Sequence, residues 1–245
     1  MIDIERVYDL YLQTEEAIYK KKHNADKKMF RASSAGYCYK KQWYLLQGTE
    51  GTPLDPKSRR LLRLGTIVHR DLETAVKLHN SNQQPQNKIK ITAEHKVKID
   101  DLNLVGTADL VVYDRENDRA KVYDYKTAHS FKWKMMFGRN KSGNPKRPSR
   151  NYELQVGTYG LGIAKEFELD EQDIELSLIY YKKDDSLMRE VSVKNIWMHN
   201  ASDYWMDLNE TLDEVDDVSD MPRESTNCPV ESWECRYCQF ETICK

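Results

Sequence analysis

A chain of 245 residues, 39% hydrophobic and 32% charged, is long enough for one sizeable core and too rich in apolar side chains to be a disordered segment. Its formal net charge of −2 excludes a protein that holds a polyanion by overall charge, so any contact with nucleic acid has to come from local basic patches. No apolar run approaches the roughly 20 residues that span a bilayer, and the charged start MIDIERVYDLYLQTEEA lacks the basic-then-apolar order of a signal peptide, so no membrane contact and a cytoplasmic location are expected.

Residues 1–22 read as a helix with a crude apolar face of Ile4, Val7, Tyr8, Leu10 and Tyr11. In FRASSAGYCYKKQWYLLQG, Ser33 or Ser34 is placed to cap a short helix carrying Cys38, Trp43 and Leu46. After the loop GTPLDP, residues 58–80 predict a long helix with Leu61, Leu64, Val68, Leu72 and Val76 near helical spacing, ended by NSNQQPQN. Three strands follow, roughly 88–99, 102–113 and 120–127, joined as a meander by DDLN and DRENDR. Residues 131–150 read as a loop with seven basic residues and no acid: Lys132, Lys134, Arg139, Lys141, Lys146, Arg147 and Arg150. Phe131, Trp133 and Phe137 lie among them, so phosphate contact and base stacking are both available; Lys40, Lys41, Arg59, Arg60 and Arg63 add to the basic set. Residues 151–165 predict a helix, DIELSLIYYKKD and LMREVSVK two more strands, and 195–215 a helix before a cysteine-rich tail. GTYGLG has the wrong glycine spacing for a dinucleotide fingerprint, and the chain has no phosphate-binding Gly-Lys-Ser/Thr loop.

Two strands carry charges that a sheet disfavours. Asp109 sits in TADLVVY, and Asp124 and Lys126 sit in VYDYKT. Side chains alternate across a strand, so Asp124 and Lys126 share a face, and Asp109 on the preceding strand is placed to meet them. Converging carboxylates repel unless a cation lies between them, and oxygen ligands suit Mg²⁺ or Mn²⁺. The competing reading is a surface salt bridge on a half-exposed sheet. His69, four residues after Gly65 and on the same helix face, and Gln155 with Tyr159, one turn apart, are weak signals singly.

In order, Gly-x-x-x-His, Gly-x-x-Asp, Asp-x-Lys and Gln-x-x-x-Tyr resemble the PD-(D/E)XK nuclease superfamily, in its RecB-like branch, from about Ser33 to the C-terminus. The resemblance implies an α/β fold of the restriction-endonuclease type, with a central mixed sheet flanked by helices. It implies metal ligands at His69, Asp109, Asp124 and the backbone carbonyl of Tyr125, a catalytic Lys126, and Gln155 and Tyr159 near the DNA and the active centre. GTAD departs slightly from the commoner form of the second motif, and Asp124 stands where Glu is also frequent; neither departure removes a ligand.

Of five cysteines, Cys228, Cys235, Cys238 and Cys244 crowd the last 18 residues, while Cys38 lies far upstream. In a reducing compartment this spacing favours metal over disulfides. Cys228 with Cys235, Cys238 and Cys244 would suit Zn²⁺; Cys38 with the last three would join the two ends of the chain. AGYCYKKQWY and the closing cysteines resemble the iron–sulfur nucleases related to the CRISPR-associated adaptation nuclease and the AddB nuclease domain. That resemblance implies a structural [4Fe–4S] cluster on Cys38, Cys235, Cys238 and Cys244, leaving Cys228 spare. Trp43, Trp233, Tyr237 and Phe240 are placed to shield it.

The expectation is thus a single nuclease domain over 1–245. Its parts are an N-terminal helical region (1–57), a nuclease core (58–194) and a helix with iron–sulfur tail (195–245). Its cysteine-rich end is joined to the N-terminal region. The function expected is metal-dependent exonuclease action on single-stranded DNA in recombination, repair or phage DNA processing. The alternative is an endonuclease or a CRISPR spacer-precursor processing enzyme of the same fold, working with a recombination or CRISPR-adaptation protein partner. A non-catalytic metal-containing nucleic-acid-binding module is disfavoured by the intact His69, Asp109, Asp124 and Lys126.

Overall fold

The computed structural model describes residues 2–23, 29–82, 88–138, 149–225, 228–230 and 232–244. Its helices are α1 (Ile4–His23), α2 (Tyr39–Leu46), α3 (Pro56–Ser81), α4 (Ser130–Phe137), α5 (Arg150–Phe167), α6 (Ile196–Asp213) and the short α7 (Ser232–Arg236). Its strands are β1 (Phe30–Arg31), β2 (Ile89–Ile99), β3 (Leu104–Asp114), β4 (Arg119–Ala128), β5 (Ile174–Lys182) and β6 (Met188–Val193).

The meander forms as the sequence predicts. Asn103 takes a left-handed φ of 51° between β2 and β3, a conformation asparagine tolerates well. Asp114 closes the next turn by accepting from the backbone N–H groups of Glu116 and Asn117 at 3.0 and 3.3 Å. β2, β3 and β4 run antiparallel, and β5 joins β4 in parallel, which requires a crossover. α4 and α5 lie on that crossover. With β6 antiparallel to β5 and β1 parallel to β3, the result is one mixed sheet flanked by helices, as a restriction-endonuclease-like fold requires.

α5 is the central helix. Leu154, Val156, Ile163 and four of its neighbours from Gly157 to Gly160 are buried. The glycines of GTYGLG serve packing: a Cβ on Gly157 would stand 2.2 Å from the carbonyl oxygen of Trp197 on α6. On the other side a Cβ on Gly162 would stand 2.1 Å from Val97 Cγ1 of β2. Trp205 of α6 completes the contact by donating its indole N–H to Thr158 Oγ1 at 2.9 Å. Gly157→Ala therefore has to push two backbones apart, and we expect a loss of about 1–3 kcal/mol, read as a lower urea midpoint at unchanged m-value.

Two expectations are corrected, and the two expected helices α1 and α3 form without a buried apolar face. Residues 130–137 are helix α4 instead of loop, capped by His129, whose Nδ1 accepts from Lys132 N–H at 3.4 Å. Its short apolar side (Trp133, Met136, Phe137) packs on the core and was hidden by the surrounding charge. Neither Ser33 nor Ser34 caps α2; Cys38 does, its Sγ accepting from Lys41 N–H at 3.4 Å, while Ser34 Oγ donates to Arg31 O at 2.7 Å. The leucine row of α3 forms no buried face: no residue of α3 is buried, and Leu61 and Leu64 are exposed. α1 likewise leaves Ile4, Val7 and Leu10 exposed and meets α3 through charge. Arg59 pairs with Glu16 at 3.0 Å, Arg60 with Asp9 at 2.7 Å, and Arg63 lies 3.9 Å from Glu15. These arginines are thereby engaged by α1. Lys40 is buried and donates to Ser219 O at 3.5 Å, and Lys41 lies over the Tyr37 ring at 3.4 Å.

Candidate active site and cysteine pocket

Asp109 sits where β3 is released on both sides. Its pairing with β4 covers only Leu110–Asp114, opposite Tyr123 down to Arg119, and stops just short of Asp109. On the β2 side, Ala93 pairs with Leu110 and His95 with Ala108, but Glu94, opposite Asp109, drops out at φ 50°. β4 meanwhile stays paired with β5 through Asp124, Tyr125 and Lys126. The two strands splay apart, and the Asp109 carboxylate accepts the Tyr125 N–H at 2.5 Å that the ladder leaves unused. The N–H and C=O of one strand residue face the same side, so the Tyr125 carbonyl is directed to this gap as well.

α3 crosses the gap. A Cβ on Gly65 would meet Thr127 Oγ1 of β4 at 3.2 Å, so the glycine permits the approach that brings His69 in. His69 Nδ1 lies 3.4 Å from Asp109 Oδ1, and its ring meets Tyr125 edge-on at 5.8 Å. Burial disfavours the imidazolium, but the hydrogen bond and charge of Asp109 outweigh it, so the His69 pKa is raised. From α5, Gln155 Nε2 donates to Asp124 Oδ1 at 3.3 Å and to Tyr159 OH at 3.0 Å, while its Oε1 accepts from Lys126 Nζ at 2.8 Å. Asp124 is buried, with Lys126 Nζ 2.5 Å from Oδ2; that oxygen accepts no aligned hydrogen bond. Burial, reinforced by the charge of Asp109, pushes the Asp124 carboxyl up to about 7 against the opposing Lys126. The structure thus brings together every residue of the expected centre: His69, Asp109, Asp124, Tyr125, Lys126, Gln155 and Tyr159.

Two carboxylates, an imidazole and a backbone carbonyl are the donor set of a hard divalent ion. The buried Asp124 Oδ2 has the Lys126 ammonium as its partner at 2.5 Å, and the carboxylate keeps further lone pairs for an ion beside it. In this arrangement His69 is engaged with Asp109 and Lys126 with Asp124, and among the described residues no three His, Cys, Asp or Glu side chains close as a single-ion cage.

Sequence reasoning missed Tyr152, two turns before Tyr159 on α5. Its ring centroid lies 4.7 Å from Lys126 Nζ and 4.3 Å from Lys132 Nζ, and Lys132 also donates to its hydroxyl. An aromatic three residues before Gln155 was the available signal. Of the expected DNA contacts, Lys132 and Lys134 lie on α4, with Lys134 exposed. Trp133 does not stand free for stacking; it packs on Phe137 at 4.5 Å, whereas Phe131 is 70% exposed. The Arg150 guanidinium lies beside Cys228. Arg139, Lys141, Lys146 and Arg147 fall outside the described residues.

The C-terminal segment folds back on the N-terminal region. Thr52 N–H donates to Gln239 O at 2.7 Å, Tyr44 OH to Ile243 O at 3.2 Å, and the Tyr44 and Phe240 rings lie 4.9 Å apart. One cavity of about 130 Å³ is lined by Cys38, Cys235, Cys238 and Cys244, with Lys41, Tyr44, Arg223 and Phe240. Burial pushes the Cys38 thiol up to about 11 against the Lys41 N–H. Arg223 donates to Cys235 Sγ. Cys228, the fourth ligand of the zinc alternative, is buried elsewhere, with Sγ 3.5 Å from the carbonyls of Gly36 and Tyr37. Of the expected shield, Phe240 lines the cavity and Tyr237 is 84% exposed; the Trp233 side chain is outside the description.

A family model described as the PD-(D/E)XK nuclease superfamily matches residues 68–245. No curated protein matches the chain in sequence. Among solved structures, SSO0001 is similar at a TM-score of 0.52 and 16% identity, covering 97% of this chain and 96% of its own. An alkaline exonuclease (LHK-Exo) from Laribacter hongkongensis reaches 0.41 and 11%, covering 78% and 91% respectively. The first of these likenesses shows a common fold. Among the described residues, no helix is long and apolar enough to cross a membrane.

Proposed function

This chain belongs to the PD-(D/E)XK nuclease superfamily, and from that premise we propose that it is a Mg²⁺- or Mn²⁺-dependent deoxyribonuclease of the RecB-like branch. In this proposal it is a single domain over 1–245 that trims single-stranded DNA from an end, in the cytoplasm, during recombination, repair or phage DNA processing. The observation that carries the reading is the gap between β3 and β4, where Asp109, Asp124 and Lys126 meet with His69 and Gln155 around the buried Asp124 carboxylate.

His69, Asp109, Asp124 and the Tyr125 carbonyl would hold the ion. When bound, it would lower the pKa of water and neutralise phosphate oxygens. Lys126 supplies the second positive charge. Gln155 grips its ammonium at 2.8 Å, so the charge is positioned before the phosphate gains its extra negative charge. The same amide holds Asp124 and Tyr159, so one side chain orients acid, lysine and phenol together. The product carries a 5′-phosphate, as in the family. Branch membership is supported by this use of the Gln-x-x-x-Tyr pair.

For the cysteines we propose a structural [4Fe–4S] cluster on Cys38, Cys235, Cys238 and Cys244. The support is their common cavity, with Cys228 placed apart. Zinc draws four sulfurs to about 2.3 Å from a single point, whereas a cluster needs them spread around a larger group. The four cysteines line one cavity of about 130 Å³.

Linear and circular single-stranded DNA, digested side by side with Mg²⁺, test the exonuclease reading. Degradation of the linear strand alone is expected. Cleavage of the circle would instead select the endonuclease or spacer-processing alternative, with its protein partners.

A further inference from the structure

We propose that Tyr152 and Lys132 form a second phosphate-binding subsite beside the scissile position, one that holds the neighbouring phosphate of the same strand. The proposal rests on reading Lys126 as the catalytic lysine.

Three observations carry it. First, the Tyr152 ring lies 4.7 Å from the Lys126 ammonium and 4.3 Å from that of Lys132, so one aromatic ring from α5 serves a cation from β4 and another from α4. Their separation is at most the sum of those distances, the scale of successive phosphates along a strand. Second, Lys126 is neutralised by Asp124, but among the described residues no carboxylate pairs with Lys132. Lys132 is held instead by the ring and by the Tyr152 hydroxyl, which accepts from its ammonium. A cation fixed by neutral groups keeps its full charge for an arriving anion. Third, α4 is rigid at this point. Trp133 and Phe137 pack on the core, and Met136 is buried, so Lys132 projects from a packed helix.

Tyr152 is accordingly a positioning residue. Its ring restrains the Lys126 ammonium through cation–π attraction, and its hydroxyl aims Lys132 at the nucleic-acid backbone. Phosphate contacts of this kind are sequence-independent and salt-dependent. The subsite therefore fits a nuclease that moves along a strand without reading bases.

The test is binding of a fluorescent single-stranded oligonucleotide in EDTA over a range of NaCl, with steady-state cleavage in Mg²⁺ beside it. K132A should weaken binding several-fold and make the log–log salt slope shallower by about 0.7, the change for one lost single-strand phosphate contact. Y152L keeps Lys132 yet should show the same shallower slope, with kcat lowered about tenfold as Lys126 loses its restraint. Y152F, nearly isosteric, should restore kcat but leave the slope between wild type and K132A. A wild-type slope in K132A, or in a folded Y152L, would overturn the subsite. K126A separates the two levels. If K126A keeps full activity, the underlying reading of the centre fails. If K126A is inactive while K132A and Y152L bind as wild type, the subsite alone fails.

Discussion

Replacing Asp124 by asparagine is expected to lower cleavage by at least about a thousandfold while leaving the fold intact, because the lost group is an anionic ligand in a water-poor site. The amide keeps the volume, and its oxygen can still accept from Gln155 at the position Oδ1 now occupies. Stability moves the other way. The metal-free carboxyl is held at about 7, mainly by burial, against about 4 for an ordinary aspartate. Between those values the folded chain binds more protons than the unfolded one, so its stability falls as pH rises through that window. The variant lacks this loss. In EDTA, wild type should melt below Asp124→Asn at pH 8, and the gap should close towards pH 4. Mg²⁺ should stabilise wild type and leave the variant unmoved. Thermal melts at three pH values, with and without Mg²⁺, measure all of this. Full activity in Asp124→Asn would remove the proposed centre.

Cys38→Ala is expected to give a colourless protein destabilised by roughly 3–5 kcal/mol, the scale for losing a cross-link that closes a long stretch of chain. Wild type prepared without oxygen should be brown and carry about four irons per chain. Cys228→Ala is the control. Its thiol lies against Gly36 and Tyr37 and outside the cysteine cavity, so the variant should keep its colour while losing packing. Iron analysis with guanidinium unfolding decides the matter. One zinc per chain that depends on Cys228 would reverse the assignment.

The centre was legible because chemistry restricts residue choice. Asp109, Asp124 and Lys126 interrupt strands, and no sheet explains them, so they stood out. His69, Gln155 and Tyr159 became informative through their order along the chain. α4 was not legible: three apolar residues among lysines leave too little periodicity, and its helix depends on a core surface supplied by β4 and β5. α3 was legible as a helix, but the way it is seated was not. Its leucines recur at helical spacing, but the contacts that seat the helix come from Gly65, His69 and three arginines. Tyr152 was overlooked because its role depends on two lysines brought to it from other elements.

The unequal anchoring of the two acids bears on ion selectivity. Asp124 is gripped along β5 and buried, so it presents a fixed oxygen. Asp109 is unpaired towards β4, and across from it Glu94 has left the β2 ladder. A turn of Asp109 gives up its bond from the Tyr125 N–H but no strand pairing with β4. In the proposed centre this adjustable jaw would therefore carry the cost of fitting ions of different radius, and the sheet would keep its shape.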